Sequence, residues 1–186
     1  AFDGISKYDI IYPGDLLHCD FGISYLTLNT DCQELAYVLK PEETKAPEFL
    51  EEALAQGNAV QDHLTDNYKK GKSGNAILKQ AIEDSKAAGL RPQIYTHPLG
   101  LYGHSAGTTI GMWDAQEGVP GSGDHPLHEE TVYAIELNAK VFIPEWEKDV
   151  RVMLEEAGYF GGDGFRYVNG RQTKLLLVGG KEKHLE

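Results

Sequence analysis

The chain has 186 residues and a formal net charge of −12, with 17 basic against 29 acidic side chains. That length suits one domain with a sizeable core, and the acidic excess argues against nucleic acid or an anionic membrane as partner. No apolar run reaches membrane-spanning length, no signal-peptide pattern opens the chain, and two cysteines are too few for a disulfide framework.

Ala1–Tyr12 runs straight towards a strand with nothing ahead of it, as in a sequence cut from a longer protein, so localisation is not legible and the cytoplasm is the default. Gly14–Leu39 then reads as strand almost throughout, and it carries Asp20 and Asp31 inside apolar surroundings. In one straight strand, residues eleven apart face opposite sides and lie roughly 35 Å from each other. A hairpin pairing Asp20 with Asp31 would put both on one face and set Cys19 opposite Cys32 on the other. Tyr25–Thr30 offers that hairpin poor turn chemistry, with Asn29 the one good turn former and neither Gly nor Pro. Two readings stay open at this level: a shared acidic site, or two strand-end aspartates in solvent. For Cys19 and Cys32, two buried free thiols are preferred over a bridge.

After the charged connector Pro41–Pro47, the segment Glu48–Tyr68 predicts an amphipathic helix with one acidic, solvated face. Asn75–Ala88 predicts a second helix, with Gly89 suited to its C-terminal cap. Both read as structural cover. Arg91–Thr96 is a short extended piece, and the glycine-rich stretch Pro98–Gly123 has His97 and His104 near its start. Thr131–Ile143 is strand-like, with Glu136 embedded among Val132, Ala134, Ile135 and Leu137. Val150–Leu154 predicts another strand, followed by the acidic pair Glu155 and Glu156 and a turn at Gly161–Gly164. Phe165–Val168 and Lys174–Val178 are the last strand candidates, and Lys181–Glu186 is a charged end.

Singly, Glu136 reads as a buried acid satisfied by one arginine, His97 as a core histidine bonded to backbone, and Glu155 as a strand-end charge. Together, two Asp, one His and two Glu supply hard oxygen donors plus one imidazole, a set that suits two divalent ions sharing bridging carboxylates.

The order and spacing of these residues resemble the pita-bread metallopeptidases, the family of methionine aminopeptidase, Xaa-Pro aminopeptidase, prolidase and creatinase. Gly14-Asp15-Leu16-Leu17, then Asp20-Phe21-Gly22, then Asp31, looks like the segment of the family's first two ligands. His97-Pro98-Leu99-Gly100-Leu101-Tyr102-Gly103-His104, with Gly107 after it, looks like the H-x-x-G-x-x-x-H-x-x-G segment of the Xaa-Pro aminopeptidase and prolidase branch. Ala134-Ile135-Glu136 stands where the family has T-[IV]-E, and Phe142-Ile143-Pro144-Glu145 resembles the run that follows. The family's V-R-[IV]-E is altered: Val150-Arg151-Val152 is followed by Met153, and the acid comes at Glu155. Glu155-Glu156 and Asp163-Gly164-Phe165 keep the family's later spacing, and residues 151, 153 and 155 share one strand face, so Glu155 is preferred over a frame that puts Met153 there. Two further departures are Phe2 and Asp3, roughly where a substrate-contacting histidine falls, and Gln93, where the Xaa-Pro branch tends to have another histidine.

The resemblance implies an α+β, pita-bread fold, N-terminally truncated: a curved, mostly antiparallel sheet with the two helices on its outer face and the metals on the other. Residues 1–186 would form a single catalytic-type domain, the C-terminal portion of a longer protein. Asp20, Asp31, His97, Glu136 and Glu155 would hold two divalent ions, Mn²⁺, Co²⁺, Fe²⁺ or Zn²⁺. His104 would stabilise the tetrahedral intermediate, and Arg151 would stand behind the ligands and orient a carboxylate. The implied activity is that of a metallopeptidase acting on the N-terminal end of a peptide or on a dipeptide, with a preference for proline after the scissile bond. The alternative within the same fold is a creatinase-like hydrolase, a lyase or an inactive peptide-binding domain. An exposed sheet edge would be covered in a homodimer.

Overall fold

The computed structural model describes residues 10–179. The expectations placed on residues 1–9, Phe2 and Asp3 among them, and on 181–186 lie outside that range.

The centre of the molecule is a long antiparallel hairpin, β7 (Thr131–Ile143) with β8 (Lys148–Gly161), whose residues pair without interruption from Thr131 opposite Phe160 to Ile143 opposite Lys148. Alternation along both strands gives it two unlike faces: Ile135, Leu137, Val152 and Leu154 turn to the core, and Glu136 and Glu155 turn the other way. The strand expected to stop at Leu154 therefore runs on to Gly161, and the acidic pair lies within it rather than after it.

Around this hairpin, β4 (Cys32–Val38) pairs with β8 and β1 (Leu16–Phe21) pairs with β4, while β5 (Pro92–Ile94) and β6 (His97–Leu99) both pair with β7. β9 (Gly164–Tyr167) folds back on β8, and β10 (Leu176–Val178) joins β4 in the parallel sense. The result is one eight-stranded, mostly antiparallel sheet. Beyond Gln33 the ladder between β4 and β8 ends, and the Leu35 backbone is satisfied by the Gln172 amide, which accepts from its N–H at 2.9 Å and donates to its carbonyl at 2.7 Å.

Helix α1 (Glu48–Thr65) lies across β7 and β8 and buries Leu50, Ala53, Leu54, Gly57, Val60 and Leu64, a stripe at helical spacing. Gly57 is the point of closest approach: a Cβ there would lie 2.8 Å from Leu154 Cδ1 and 2.9 Å from Val152 Cγ1. Helix α2 (Gly74–Ala87) opens on Ser73, whose hydroxyl accepts the Ala76 N–H at 3.2 Å, and packs on α1 and β5. Gly89 follows its end with a φ of +78°.

The chain does reverse between Asp20 and Asp31, but in a different register from the expected one. β2 (Ser24–Tyr25) and β3 (Leu28–Asn29) pair across a two-residue turn at Leu26 and Thr27, so Asp20 stands opposite Gln33 and Cys19 opposite Glu34. The slip is two residues, one full strand period, and it leaves the aspartates on a common face while separating the cysteines. Cys19 and Cys32 are free, but Cys19 is exposed and Cys32 only half-buried, so the expectation of buried thiols is corrected. The turn places Leu26 and Thr27 at φ of +47° and +69°, a conformation unfavourable for side chains without local hydrogen bonds and worst for a β-branched one. Replacing the pair with Asn-Gly is expected to raise stability by about 1 kcal/mol, read from the urea midpoint at constant m-value.

Candidate metal centre

The register brings the acidic residues onto one line. Asp20 on β1 faces Gln33 on β4, Gln33 faces Glu155 on β8, and Glu155 faces Glu136 on β7. Asp31 precedes Gln33 by two residues, and His97 enters from β6, where it pairs with Ala134, itself opposite Ala157. The five residues expected to act together therefore converge on the face turned away from the helices. Three groups of donor atoms result, each lying within 4.8 Å of one another: His97 with Glu136 and Glu155, Asp20 with Asp31 and Glu155, and Asp31 with His97 and His104.

His97 is at the centre. Its Nε2 lies 3.6 Å from Glu136 Oε2, 3.7 Å from Glu155 Oε1 and 4.0 Å from Asp31 Oδ2, close enough for strong attraction but too far for hydrogen bonds. Its Nδ1–H donates to the Pro98 carbonyl at 3.1 Å, which fixes the ring so that Nε2 points at the carboxylates. Both His97 Nε2 and Glu155 Oε1 are buried without a hydrogen-bond partner. Unpartnered buried polar atoms are uncommon in folded proteins, and here a nitrogen and an oxygen face one gap.

The electrostatics show the same crowding. Burial, reinforced by Glu136 and Asp31, pushes the Glu155 carboxyl up to about 7 against the opposing pull of His97. Burial also raises Asp31, with Asp20 and Glu136 adding to the rise and His97 opposing it. For His97 burial acts against the charged ring, yet Glu136, Glu155 and the Pro98 carbonyl outweigh it and raise its pKa to about 10. Carboxylates packed this closely repel one another unless protons or a cation intervene.

One pair of residues in this site was not anticipated. Gln33, 2 % exposed, donates from Nε2 to Glu136 Oε1 at 2.7 Å and to Glu155 Oε2 at 2.9 Å, holding the two carboxylates at a fixed separation. With that amide group committed, Gln33 Oε1 accepts from His18 Nε2–H at 2.8 Å. The signal was present in the strand period: Gln33 follows Asp31 by two, and His18 precedes Asp20 by two. Gln33→Leu is expected to weaken divalent-cation affinity about 10–100-fold, read by calorimetric titration.

His104 is exposed and stacks on His97, with ring centroids 3.8 Å apart and planes 12° from parallel. It comes from the glycine-rich loop, which the Asn29 N–H ties to the hairpin by donating to the Gly100 carbonyl at 2.8 Å. Arg151 is placed elsewhere than expected. It pairs with Lys140, two same-face pairs along the ladder from Glu155, and makes no hydrogen bond or ion pair to the site carboxylates among the described residues. The two extra residues between Arg151 and Glu155 turn both side chains to the same face but carry the guanidinium roughly 13 Å along the strand. The orientation of the carboxylates falls to Gln33 instead.

The residues present suit divalent cations: four carboxylates and one imidazole, with a buried nitrogen and a buried oxygen aimed into one gap. Comparison with known proteins agrees with this chemistry. The model of metallopeptidase family M24 matches residues 3–167. No curated protein sequence matches the chain. Among solved structures, the X-Pro aminopeptidase of Thermotoga maritima MSB8 superposes with a TM-score of 0.68 at 18 % identity, covering 95 % of this chain and 46 % of its own. The Xaa-Pro dipeptidase of Bacillus anthracis gives 0.64 at 17 % identity, covering 95 % of this chain and 45 % of its own. The methionine aminopeptidase of Rickettsia prowazekii gives 0.63 at 14 % identity, covering 86 % of this chain and 66 % of its own. These are likenesses of fold, and the chain spans less than half the length of the first two.

Proposed function

Since the chain belongs to metallopeptidase family M24, we propose that it is a metal-dependent hydrolase that releases the N-terminal residue of a peptide or splits a dipeptide, with a preference for proline after the scissile bond. In this reading a single domain over residues 1–186 carries the site. Asp20, Asp31, His97, Glu136 and Glu155 hold two divalent ions, and the donor set accepts Mn²⁺, Co²⁺, Fe²⁺ or Zn²⁺.

The observation that carries this reading is the pair of buried, unpartnered atoms, His97 Nε2 and Glu155 Oε1, 3.7 Å apart. Each costs about 1–3 kcal/mol when nothing satisfies it, and a divalent cation satisfies both. Asp31, His97 and Glu155 each belong to two of the three donor groups, so the groups overlap and all five residues would serve one cluster of cation charge.

When bound, such ions supply the positive charge that acidifies a water and draws electron density from a carbonyl oxygen. The remaining work falls to side chains. Gln33 keeps Glu136 and Glu155 in place through its two N–H bonds, so the donors are organised before a substrate arrives. The Pro98 carbonyl holds the His97 ring in its productive orientation. In this reading His104, exposed and stacked on His97, donates a hydrogen bond to the substrate oxygen that gains charge as the carbonyl is attacked, a role its place beside the donor groups supports. His104→Ala is expected to lower kcat about 10²-fold while the purified protein keeps its metal content, a split that separates stabilisation of charge from metal binding.

The reading as a whole is tested by elemental analysis of the purified protein beside a panel of Xaa-Pro peptides. Two equivalents of a divalent metal, with hydrolysis that EDTA abolishes and Mn²⁺ restores, is the expected result. Metal without hydrolysis would transfer the chain to the non-peptidase members of the fold, and neither metal nor hydrolysis would remove the reading.

A further inference from the structure

Along the site face of the central hairpin the charge changes sign. Alternate pairs of the ladder run Glu136 with Glu155, Asn138 with Met153, then Lys140 with Arg151, all projecting to the same side. At the Lys140–Arg151 end, where the β5 edge of the sheet meets the end of α2, lies a cavity of about 370 Å³, lined by those two cations together with Lys86, Arg91, Gln93 and Asn138, and by no carboxylate. Lys86 comes from the last turn of α2, and Arg91 lies beside Lys140, whose N–H donates to the Arg91 carbonyl at 2.9 Å.

Four cations around one cavity stand out in a chain of net charge −12. Arg91 and Lys140 share Asp149, at 2.6 Å and 3.0 Å, so one carboxylate serves two of them. Arg151 and Lys86 make no ion pair among the described residues. The floor is already committed: Asn138 Nδ2 donates to Gln93 Oε1 at 2.8 Å, and Gln93 Nε2 donates to the Trp113 carbonyl at 2.6 Å. Fixed amides beside two unpaired cations, Arg151 and Lys86, and two that share one carboxylate make a place for an anion, and the planar fork of Arg151 suits a carboxylate.

We propose that this cavity binds a carboxylate of the peptide substrate, about three or four residues beyond the bond cut at the acidic centre. The inference rests on the hydrolase reading above for the position of that bond. The spacing follows from the ladder: four residues separate Glu136 from Lys140, roughly 13 Å of strand, and an extended peptide advances about 3.4 Å per residue. The carboxylate is either the peptide's C-terminus or an acidic side chain at the same distance.

The test uses the metal-loaded full chain and calorimetric titration with Ala-Pro-Ala-Ala in which the Ala-Pro amide is reduced, so that nothing is cleaved. Three forms are compared: free acid, C-terminal amide, and the amide with Glu as the last residue. The free acid is expected to bind about tenfold more tightly than its amide, and the glutamyl amide to recover the affinity if the side chain is also accepted. Arg151→Gln removes the preference, Arg151→Lys retains part of it, and 0.5 M NaCl narrows it. Equal affinity for acid and neutral amide, or a preference unchanged in Arg151→Gln and in Lys140→Gln, overturns the proposal. Hydrolysis of ordinary Ala-Pro-Ala-Ala and its amide is followed in parallel. Cleavage of both with equal affinities removes the carboxylate site and leaves the hydrolase, whereas acid preference without cleavage does the reverse.

Discussion

Adding Mn²⁺ is expected to raise the Tm of the unsubstituted chain by about 5–10 °C at a hundredfold excess over Kd, and to leave Glu155→Gln unmoved. A ligand that binds only the folded state contributes about 2.7 kcal/mol at that excess, and a domain of this size gains about 2–4 °C per kcal/mol. Glu155 is the sensitive position because it is common to the His97–Glu136 and Asp20–Asp31 donor groups, so its loss removes a donor from both. Peptide hydrolysis should fall by about 10³-fold or more, since several kcal/mol of charge stabilisation disappear. The metal-free protein provides the control. Glu155 is 1 % exposed and burial holds its carboxyl up to about 7 despite the pull of His97, so a neutral amide at this position removes a charge whose burial and repulsion outweigh that attraction. The Gln33 Nε2–H bond survives, because the new amide still offers an oxygen. Metal-free stability should therefore stay within about 1 kcal/mol of the parent or rise. A Mn²⁺-dependent rise of equal size in Glu155→Gln would show that the ions are held elsewhere.

The second large effect is expected at a glycine remote from the carboxylates. Gly111→Ala should destabilise the protein by about 3 kcal/mol, lowering Tm by about 6–12 °C. Gly111 has a φ of +75°, and a Cβ there would lie 2.1 Å from the Ile94 carbonyl oxygen and 2.9 Å from Leu78 Cδ1. The nearest atom is backbone within β5, so no rotamer change relieves the contact. The strain would reach the site through a short path. Ile110 exchanges both backbone hydrogen bonds with Thr96, at 2.9 Å and 3.1 Å, and Thr96 precedes His97. Displacing residue 111 therefore moves the segment that carries the imidazole. The expected signature is a loss of cation affinity together with the loss of Tm, in contrast to Glu155→Gln, where affinity falls and metal-free stability does not. Unchanged thermal unfolding in Gly111→Ala would mean that the backbone between Ile94 and Gly111 has room that the structure does not show.

Local physics made much of this molecule readable in advance. Period-two alternation marked Thr131–Ile143 as a strand and placed Glu136 on the opposite side from Ile135 and Leu137. Period-3.6 spacing marked both helices, and two Asp, one His and two Glu stood out as candidate oxygen and imidazole donors. Pairing between distant strands is a different matter, because it is decided by which register satisfies every ladder at once. The turn at Leu26 and Thr27 adopts a conformation that its residues disfavour, so no local signal set Asp20 opposite Gln33 rather than Asp31. Gln33 and Glu155 are 122 residues apart, and only the assembled sheet makes the amide a donor to two carboxylates. The register of the central hairpin likewise carried Arg151 away from the acids and into the basic cavity, since two added residues preserve a strand's face but not its position. Composition and periodicity thus determined the types of element and the donors available. Register, a property of the assembled sheet, decided which of those donors meet.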